Sequence, residues 1–236
     1  MFFDPRPVSK ETDSGLRISP LTNHTFCAEQ SSCLLGFSEI IPCSRELPIL
    51  FAHIENSLAP VVLLSTADGE NAAVRNGQWK FRYIPAAFRA YPFLLMQTDE
   101  KGEQFSVALE RSSDLISDSP EQGNPLFEND APAPLLQNAV KFLQEMHADQ
   151  QRAQVWANMI NQKSLLAPFA ITSTRGEEQE TIPMEGLYFV NEKALNDLPA
   201  EDFLDLKAKG VLPALYAHLM SLGTINNIAV ASPKQN

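Results

Sequence analysis

Residues 134–163 carry the longest regular pattern in the sequence, and it is the pattern of one face of an α-helix. Its positions alternate steps of four and three: Leu135, Ala139, Phe142, Met146, Asp149, Ala153, Trp156 and Ile160. Asp149 alone is not apolar. A single helix over this range is about 45 Å long, longer than most helices of globular proteins. We therefore expect one bent helix or two packed halves that meet near Asp149, rather than an arm that projects into a coiled-coil dimer.

Short apolar runs on both sides of this helix predict a mostly antiparallel sheet. The predicted strands are residues 47–52, 61–65, 93–98, 105–110, 169–174, 180–184 and 186–190. Asn76-Gly77 predicts a two-residue hairpin turn. Two further hairpins are predicted to turn at residues 100–102 and 175–178.

Three helices are predicted near the C-terminus, and Asn191 can cap the first of them. Pro199 opens the second helix, which has acidic residues in its first turn and Gly210 just beyond its end. The third covers residues 213–222 and is apolar nearly all round, so we expect it to be buried. The sequence thus predicts an α+β fold. In this fold a mostly antiparallel sheet packs with the long helix, or a bent helix pair, and with the C-terminal helices.

The chain shows no convincing linker, so we expect residues 16–236 to form a single domain. Residues 1–15 are polar and rich in Pro, Ser and Lys, which is typical of a flexible N-terminal arm. The net charge is −11, which argues against binding to nucleic acid or to anionic membranes. No apolar run is long enough for a membrane span, and no secretory signal is recognisable, so we expect a cytoplasmic protein.

Residues 79–93 form an aromatic, basic segment in this acidic chain. They hold six of the twenty aromatic residues and three of the eighteen Lys and Arg residues, while no acid lies between Glu70 and Asp99. The alternation of Trp79, Phe81 and Tyr83 with other residues predicts a strand with one aromatic face. Pro85 predicts the start of a helical turn over residues 86–91.

This segment is the first candidate site. Its candidate ligand-binding residues are Trp79, Lys80, Arg82, Tyr83, Arg89 and Tyr91. Together they could accept a small anionic or sugar-like ligand by charge-assisted hydrogen bonds and stacking. The alternative is that the aromatic rings belong to the core and the cations lie on the surface. In that case the cations could pair with residues 99–130, which contain nine acids and two bases.

Catalysis has weaker support in the sequence. The known motifs for serine hydrolases, phosphate loops, zinc proteases and dinucleotide binding are missing. His218, on the last helix, is a further candidate for the ligand site, although a core role is the commoner one for such a histidine. An enzyme could act at residues 79–93, or through His218 with Tyr216, or through Asp114 with Asp118. Cys27, Cys33 and Cys43 are expected to be free thiols without a metal, and no cofactor is implied.

Several blocks of sequence, in order from about residue 20 to residue 228, resemble the SapC family of bacterial proteins. They are Glu46-Leu47-Pro48-Ile49-Leu50-Phe51, residues 77–93, Pro125-Leu126-Phe127, Gly186-Leu187-Tyr188, Leu206-Lys207-Ala208-Lys209-Gly210 and Tyr216-Ala217-His218-Leu219-Met220-Ser221-Leu222-Gly223. The resemblance implies an accessory protein of undefined chemistry, encoded near surface-layer or outer-membrane uptake genes. It carries over no catalytic residue. A separate hypothesis is an interaction module, with a partner protein bound along the helix 134–163 near Trp156 and Met159. The alternative is that this stripe simply faces the core.

Overall fold

The computed structural model describes residues 2–54, 57–66, 69–99, 104–175 and 178–228. It shows the predicted α+β fold, and the strand pairs within these residues are antiparallel. The strands are β1 (Pro5–Pro7), β2 (Arg17–Ile18), β3 (Ser32–Leu34), β4 (Ile49–Ile54), β5 (Ser57–Leu63), β6 (Val74–Arg75), β7 (Gln78–Trp79), β8 (Phe93–Gln97), β9 (Phe105–Glu110), β10 (Ile116–Ser117), β11 (Asn124–Pro125), β12 (Phe127–Glu128), β13 (Ala131–Pro132), β14 (Leu166–Arg175) and β15 (Glu178–Val190). The helices are α1 (Lys10–Asp13), α2 (Ile40–Cys43), α3 (Ala86–Arg89), α4 (Pro134–Gln162), α5 (Glu192–Asn196), α6 (Ala200–Ala208) and α7 (Leu212–Ser221), with short 3-10 turns at Thr25–Cys27, Phe37–Glu39 and Leu222–Asn227.

The main sheet has five strands in the order β14-β15-β4-β5-β3. Its central strands β4 and β5 confirm the two strands predicted at residues 47–52 and 61–65, and β14 with β15 confirms the later hairpin. The middle of that hairpin's turn, residues 176–177, lies outside the described residues, as does the turn predicted at residues 100–102. A second sheet, β1-β9-β8, contains the hairpin predicted from residues 93–98 and 105–110.

The long helix α4 is one uninterrupted helix of 29 residues. Asp149 does not break it, because the carboxylate is used in packing. Asp149 Oδ2 accepts hydrogen bonds from the main-chain N of Ser38, at 2.9 Å, and from Ser38 Oγ, at 2.6 Å. The polar position in the apolar stripe is thus the place where the 3-10 turn Phe37–Glu39 attaches to the helix.

Two clusters of buried side chains pack against α4. The first, which we call the sheet core, includes Leu50, Phe51 and Val62 of the main sheet together with Trp156 and Ile160 of the helix. The second, which we call the β8–β9 core, is formed mainly by Tyr91, Phe93, Leu109, Leu126, Leu136 and Leu143. The first half of α4 therefore covers the smaller sheet, and the second half covers the main sheet.

The strand predicted over residues 79–84 ends after Trp79. The hairpin turn itself is confirmed: Asn76 and Gly77 both have positive φ, at 52° and 74°, as a tight hairpin requires. Beyond it, the main-chain N of Arg82 donates to Glu46 Oε2, and the Tyr83 hydroxyl donates to Glu39 Oε1. The main-chain N of Arg82 thus bonds to a side-chain acceptor from a distant residue and not to a partner strand.

The N-terminal residues are more ordered than the sequence suggests. Residues 5–7 form β1 on the edge of β9, and the Glu110 carboxylate accepts hydrogen bonds from the main-chain N of Phe3 and Asp4. Asp13, which is buried, pairs with Arg111 at 2.8 Å. Residues 5–7 are thus held on the edge of β9, and other N-terminal residues are held by the side chains of Glu110 and Arg111.

The C-terminal helices begin and end close to the predicted places, with Pro199 before α6 and Gly210 at positive φ after it. The expectation that the last helix is buried all round is wrong. Tyr216 and Met220 on α7 are 46% and 77% exposed, because α7 packs through the opposite face, which carries Leu215 and His218. Among the described residues, no helix is both long and apolar enough to cross a membrane.

Candidate functional site

Arg89 is the candidate residue with the most defined surroundings. It ends the short helix α3, which begins after Pro85. Its Nε donates to the carbonyl oxygen of Ile84 at 3.0 Å, and its Nη2 donates to the Tyr83 hydroxyl at 3.4 Å. The guanidinium carbon lies 5.7 Å from the centre of the Tyr83 ring and 5.2 Å from that of the Phe142 ring of α4. The cation is therefore held against two aromatic rings that belong to different parts of the chain.

A pocket of about 290 Å³ lies beside Arg89, between α3 and the first half of α4. Its walls are mainly apolar, and its polar side chains include Arg89 and Asn138. The lining residues are Ile18, Ser19, Pro20, Leu21, Arg89, Ala90, Tyr91, Pro92, Phe93, Leu135, Asn138, Ala139, Phe142 and Leu143. A cavity with apolar walls and a few polar groups is the usual form of a small-molecule site.

Tyr91 also lines this pocket. It is 8% exposed, and its ring stacks on Phe26 with the ring centres 3.9 Å apart. Burial raises the pKa of Tyr91, and a hydrogen bond with the Ser113 side chain opposes that rise. Tyr91 thus supplies a buried aromatic surface that is held by stacking on Phe26.

Glu39 is the member of this region that the sequence analysis missed. The carboxylate is 3% exposed and accepts three hydrogen bonds, from the Gly36 main-chain N, the Ala86 main-chain N and the Tyr83 hydroxyl. Burial, and next the charge of Glu39, raise the pKa of Tyr83 far above its usual value, so this hydroxyl keeps its proton. The spacing Gly36-x-x-Glu39, in which the acid bonds back to the start of the turn, is the one sequence signal for this role.

Trp79, Lys80 and Arg82 do not line the pocket. Trp79 is half-buried and donates its indole N–H to the carbonyl oxygen of Tyr83, while Lys80 Nζ donates to that of Ala72. Arg82 is exposed. Two acids that accept hydrogen bonds from residues 79–93 are Glu39 and Glu46, which precede the segment in the chain.

His218 lies in the sheet core and does not line the pocket beside Arg89. It is 0% exposed, its ring centre is 5.0 Å from that of Phe51, and its Nε2 accepts a hydrogen bond from the main-chain N of Val190 at 3.0 Å. Burial lowers the pKa of His218 to about 4, and a backbone interaction with Ile49 opposes this. The ring is therefore neutral near pH 7, and it holds strand β15 against α7.

Each of the other two proposed catalytic pairs includes an exposed side chain. Tyr216 lies on the exposed face of α7, away from the buried His218. Asp114 and Asp118 are both exposed. In the part of the chain that the structure describes, no group of three or more His, Cys, Asp or Glu residues is arranged to hold a metal ion. Cys27, Cys33 and Cys43 are free and buried, and burial raises the pKa of each thiol.

Comparisons with known proteins give one match. No curated protein and no solved structure is similar to the chain. The family model described as SapC matches residues 8–228, which is nearly the whole chain and includes α4, the main sheet and both sides of the pocket at Arg89. The chain therefore belongs to the SapC family.

Proposed function

We propose that this SapC-family protein is an accessory binding protein that takes up a small organic anion in the pocket between α3 and α4. The observation that carries the proposal is the position of Arg89. This exposed cation lines an apolar pocket, and among the described residues its guanidinium contacts a carbonyl, a hydroxyl and two rings but forms no ion pair with a carboxylate. In a chain with a net charge of −11, a cation in such surroundings favours an external anion.

The walls of the pocket favour an anion that also has an apolar body. Leu21, Leu135 and Phe142 line it beside Arg89. Its volume of about 290 Å³ holds about ten water molecules at their liquid volume, which suits a small metabolite better than a peptide. Asn138, on the exposed side of α4, can add one hydrogen bond to the bound molecule.

Binding is favoured over turnover because the pocket residues that the sequence analysis selected have holding roles. Arg89 is held by hydrogen bonds and by two aromatic rings, and Tyr91 is buried and stacked on Phe26. We connect this binding role with a cell-surface or nutrient-uptake system through the family resemblance. A cytoplasmic location is part of the same proposal, and it is supported by the three free cysteines, since a reducing compartment keeps thiols unpaired.

Thermal unfolding with a panel of monocarboxylates, from acetate to decanoate together with benzoate and phenylacetate, tests the proposal. A bound acid at a hundred times its dissociation constant stabilises the protein by about 2.7 kcal/mol, which raises the midpoint by roughly 5–10 °C for a chain of this size. We expect the same shift in Arg82→Gln, which removes an exposed cation outside the pocket, and no shift in Arg89→Gln. A panel without effect on the wild type, or an equal loss in both variants, would contradict the proposal.

A second candidate is a protein partner bound along the second half of α4. An open groove of about 370 Å³ lies there, lined by residues that include Phe37, Arg152, Val155 and Met159. Val155 lines this groove and is 65% exposed, so its side chain is accessible to a partner. Trp156, which the sequence analysis placed at the centre of this surface, is 1% exposed and belongs to the sheet core.

Co-purification from the native bacterium tests this second candidate. We expect one partner to be retained by the wild type and by Asn158→Asp, which changes an exposed α4 residue outside the groove, and to be lost with Val155→Asp. Recovery of the same proteins with all three chains would count against a partner in the groove.

A further inference from the structure

We propose that Glu39 and Tyr83 are positioning residues for Arg89, and that they make the pocket select a carboxylate over an uncharged amide of the same shape. This inference rests on the proposed function, because it explains how the cation is presented to the anion. Three residues from three segments take part: Glu39 follows β3 in the 3-10 turn, Tyr83 precedes α3, and Arg89 ends α3.

The Glu39 carboxylate is fixed from both sides. Its Oε2 accepts from the Gly36 main-chain N at 2.8 Å, and its Oε1 accepts from the Ala86 main-chain N at 2.7 Å. Main-chain donors cannot rotate away, so the buried carboxylate has one orientation. The Tyr83 hydroxyl, whose oxygen is 2.9 Å from Oε1, is the remaining donor among its described contacts. A buried carboxylate needs such donors, since leaving it unpaired is strongly unfavourable.

The Tyr83 hydroxyl, held by Glu39, in turn orients Arg89. It has one proton, which it donates to Glu39, and so its lone pairs face other donors. Arg89 Nη2 is 3.4 Å from this oxygen. The hydrogen bonds therefore run in one direction, from Arg89 to Tyr83 to Glu39, and the negative charge at the end of the chain favours the cation at its start.

These contacts occupy one edge of the guanidinium. Nε, bonded to the Ile84 carbonyl oxygen, and Nη2, bonded to the Tyr83 hydroxyl, lie along the same side of the planar group. The end formed by Nη1 and the second proton of Nη2 accordingly remains for an acceptor. The rings of Tyr83 and Phe142 restrict the tilt of the plane. Two parallel N–H groups in a fixed plane match the two oxygens of a carboxylate, whereas an amide offers a single acceptor oxygen to them.

Tyr83→Phe is the sharpest variant, because it removes the hydroxyl and keeps the ring that packs beside Arg89. Without the hydroxyl, Arg89 keeps its charge and loses part of its orientation. We expect the affinity for a carboxylate to fall about tenfold and the affinity for the matching amide to stay the same. Tyr216→Phe is the matched control, since it removes a tyrosine hydroxyl from the exposed face of α7.

Calorimetric titration of the wild type, Tyr83→Phe, Tyr216→Phe and Arg89→Gln provides the test. The probes are hexanoate with hexanamide and phenylacetate with phenylacetamide. A lower carboxylate affinity and an unchanged amide affinity in Tyr83→Phe, with Tyr216→Phe like the wild type, supports positioning. This result separates positioning from general damage to the pocket, which weakens acid and amide alike.

Two results overturn the positioning role while leaving the anion site intact. In the first, Arg89→Gln loses the carboxylates and Tyr83→Phe binds them as the wild type does. In the second, Tyr83→Phe loses acid and amide equally. A wild type that binds neither acid, or an Arg89→Gln variant that binds both as tightly as the wild type, overturns the proposed function and this inference together.

Discussion

Replacing Asp149 with alanine tests how the long helix is attached to the rest of the protein. The carboxylate is the acceptor for both the main-chain N and the hydroxyl of Ser38, and it also contacts Arg152 at 3.1 Å. Hydrogen bonds to a charged group are each worth about 1.5–3 kcal/mol. The ion pair with Arg152, whose side chain is 65% exposed, adds little. Alanine regains about 0.5 kcal/mol of helix propensity, so we expect a net loss of about 2.5–5.5 kcal/mol in the free energy of unfolding.

Gly36 provides an internal check on this value. A side-chain carbon at Gly36 would meet the Asp149 carboxylate well inside contact distance, so Gly36→Ala must displace that carboxylate. We expect Gly36→Ala alone to lower stability by about 1–3 kcal/mol. In the double variant the displaced group is already missing, and the two losses should fall short of additivity by about 1 kcal/mol or more.

The wild type, Asp149→Ala, Gly36→Ala and the double variant are unfolded in urea and followed by circular dichroism. The unfolding curves give the loss of stability in each single variant and the departure from additivity in the double variant. Asp149→Asn is the control, because it keeps one acceptor oxygen and the side-chain volume and should lose less than Asp149→Ala. If Asp149→Ala stays within about 0.5 kcal/mol of the wild type, or if the losses from Asp149→Ala and Gly36→Ala simply add, the carboxylate does not hold the 3-10 turn on α4.

Three further predictions follow from buried groups elsewhere. Leu143→Ala, at a site that is 0% exposed, should lower the free energy of unfolding by about 2–5 kcal/mol in urea titrations, whereas Val155→Ala, on the same helix but 65% exposed, should change it by less than about 0.5 kcal/mol. His218 has a usual pKa of 6.5 and a folded-state pKa of about 4, so its contribution to stability is present above pH 6.5 and is lost as the pH falls towards 4. The loss is about 3 kcal/mol, and a His218→Gln variant that shows the same fall between these pH values would contradict it. The buried thiols Cys27, Cys33 and Cys43 should react with an aromatic disulfide reagent only as fast as the protein unfolds; rapid labelling of the native protein would show that at least one of them is accessible.

The parts of the fold that depend on local patterns could be predicted from the sequence. The stripe along α4 repeats with the period of a helix, and Asn76-Gly77 encodes its own turn through two residues that tolerate positive φ. Residues 80–85 could not be predicted, since their conformation is set by Glu39 and Glu46, which lie far away in the chain. The N-terminal strand β1 was missed for a similar reason: its partner β9 follows about a hundred residues later.

Only part of the candidate site could be predicted from the sequence. Composition alone pointed to residues 79–93, because an aromatic, basic segment in an acidic chain is conspicuous. Only the fold shows that Arg89 and Tyr91 line a pocket, since its other wall is Phe142 on α4. The sequence also grouped His218 with the ligand-binding residues, whereas His218 is fully buried beside Phe51 and does not line the pocket. A single acid such as Glu39 carries almost no signal until its three donors are seen together.

The contacts around α4 form a closed path through the molecule. The middle of the helix holds Ser38 through Asp149, and the next residue, Glu39, holds the start of α3 through Ala86. Arg89, at the end of α3, returns to α4 through the ring of Phe142. Because each step fixes the next, the distance between Arg89 and α4, which sets the width of the pocket, depends on the attachment at Asp149. A weakened attachment should therefore loosen the site as well as the fold, although Asp149 does not line the pocket.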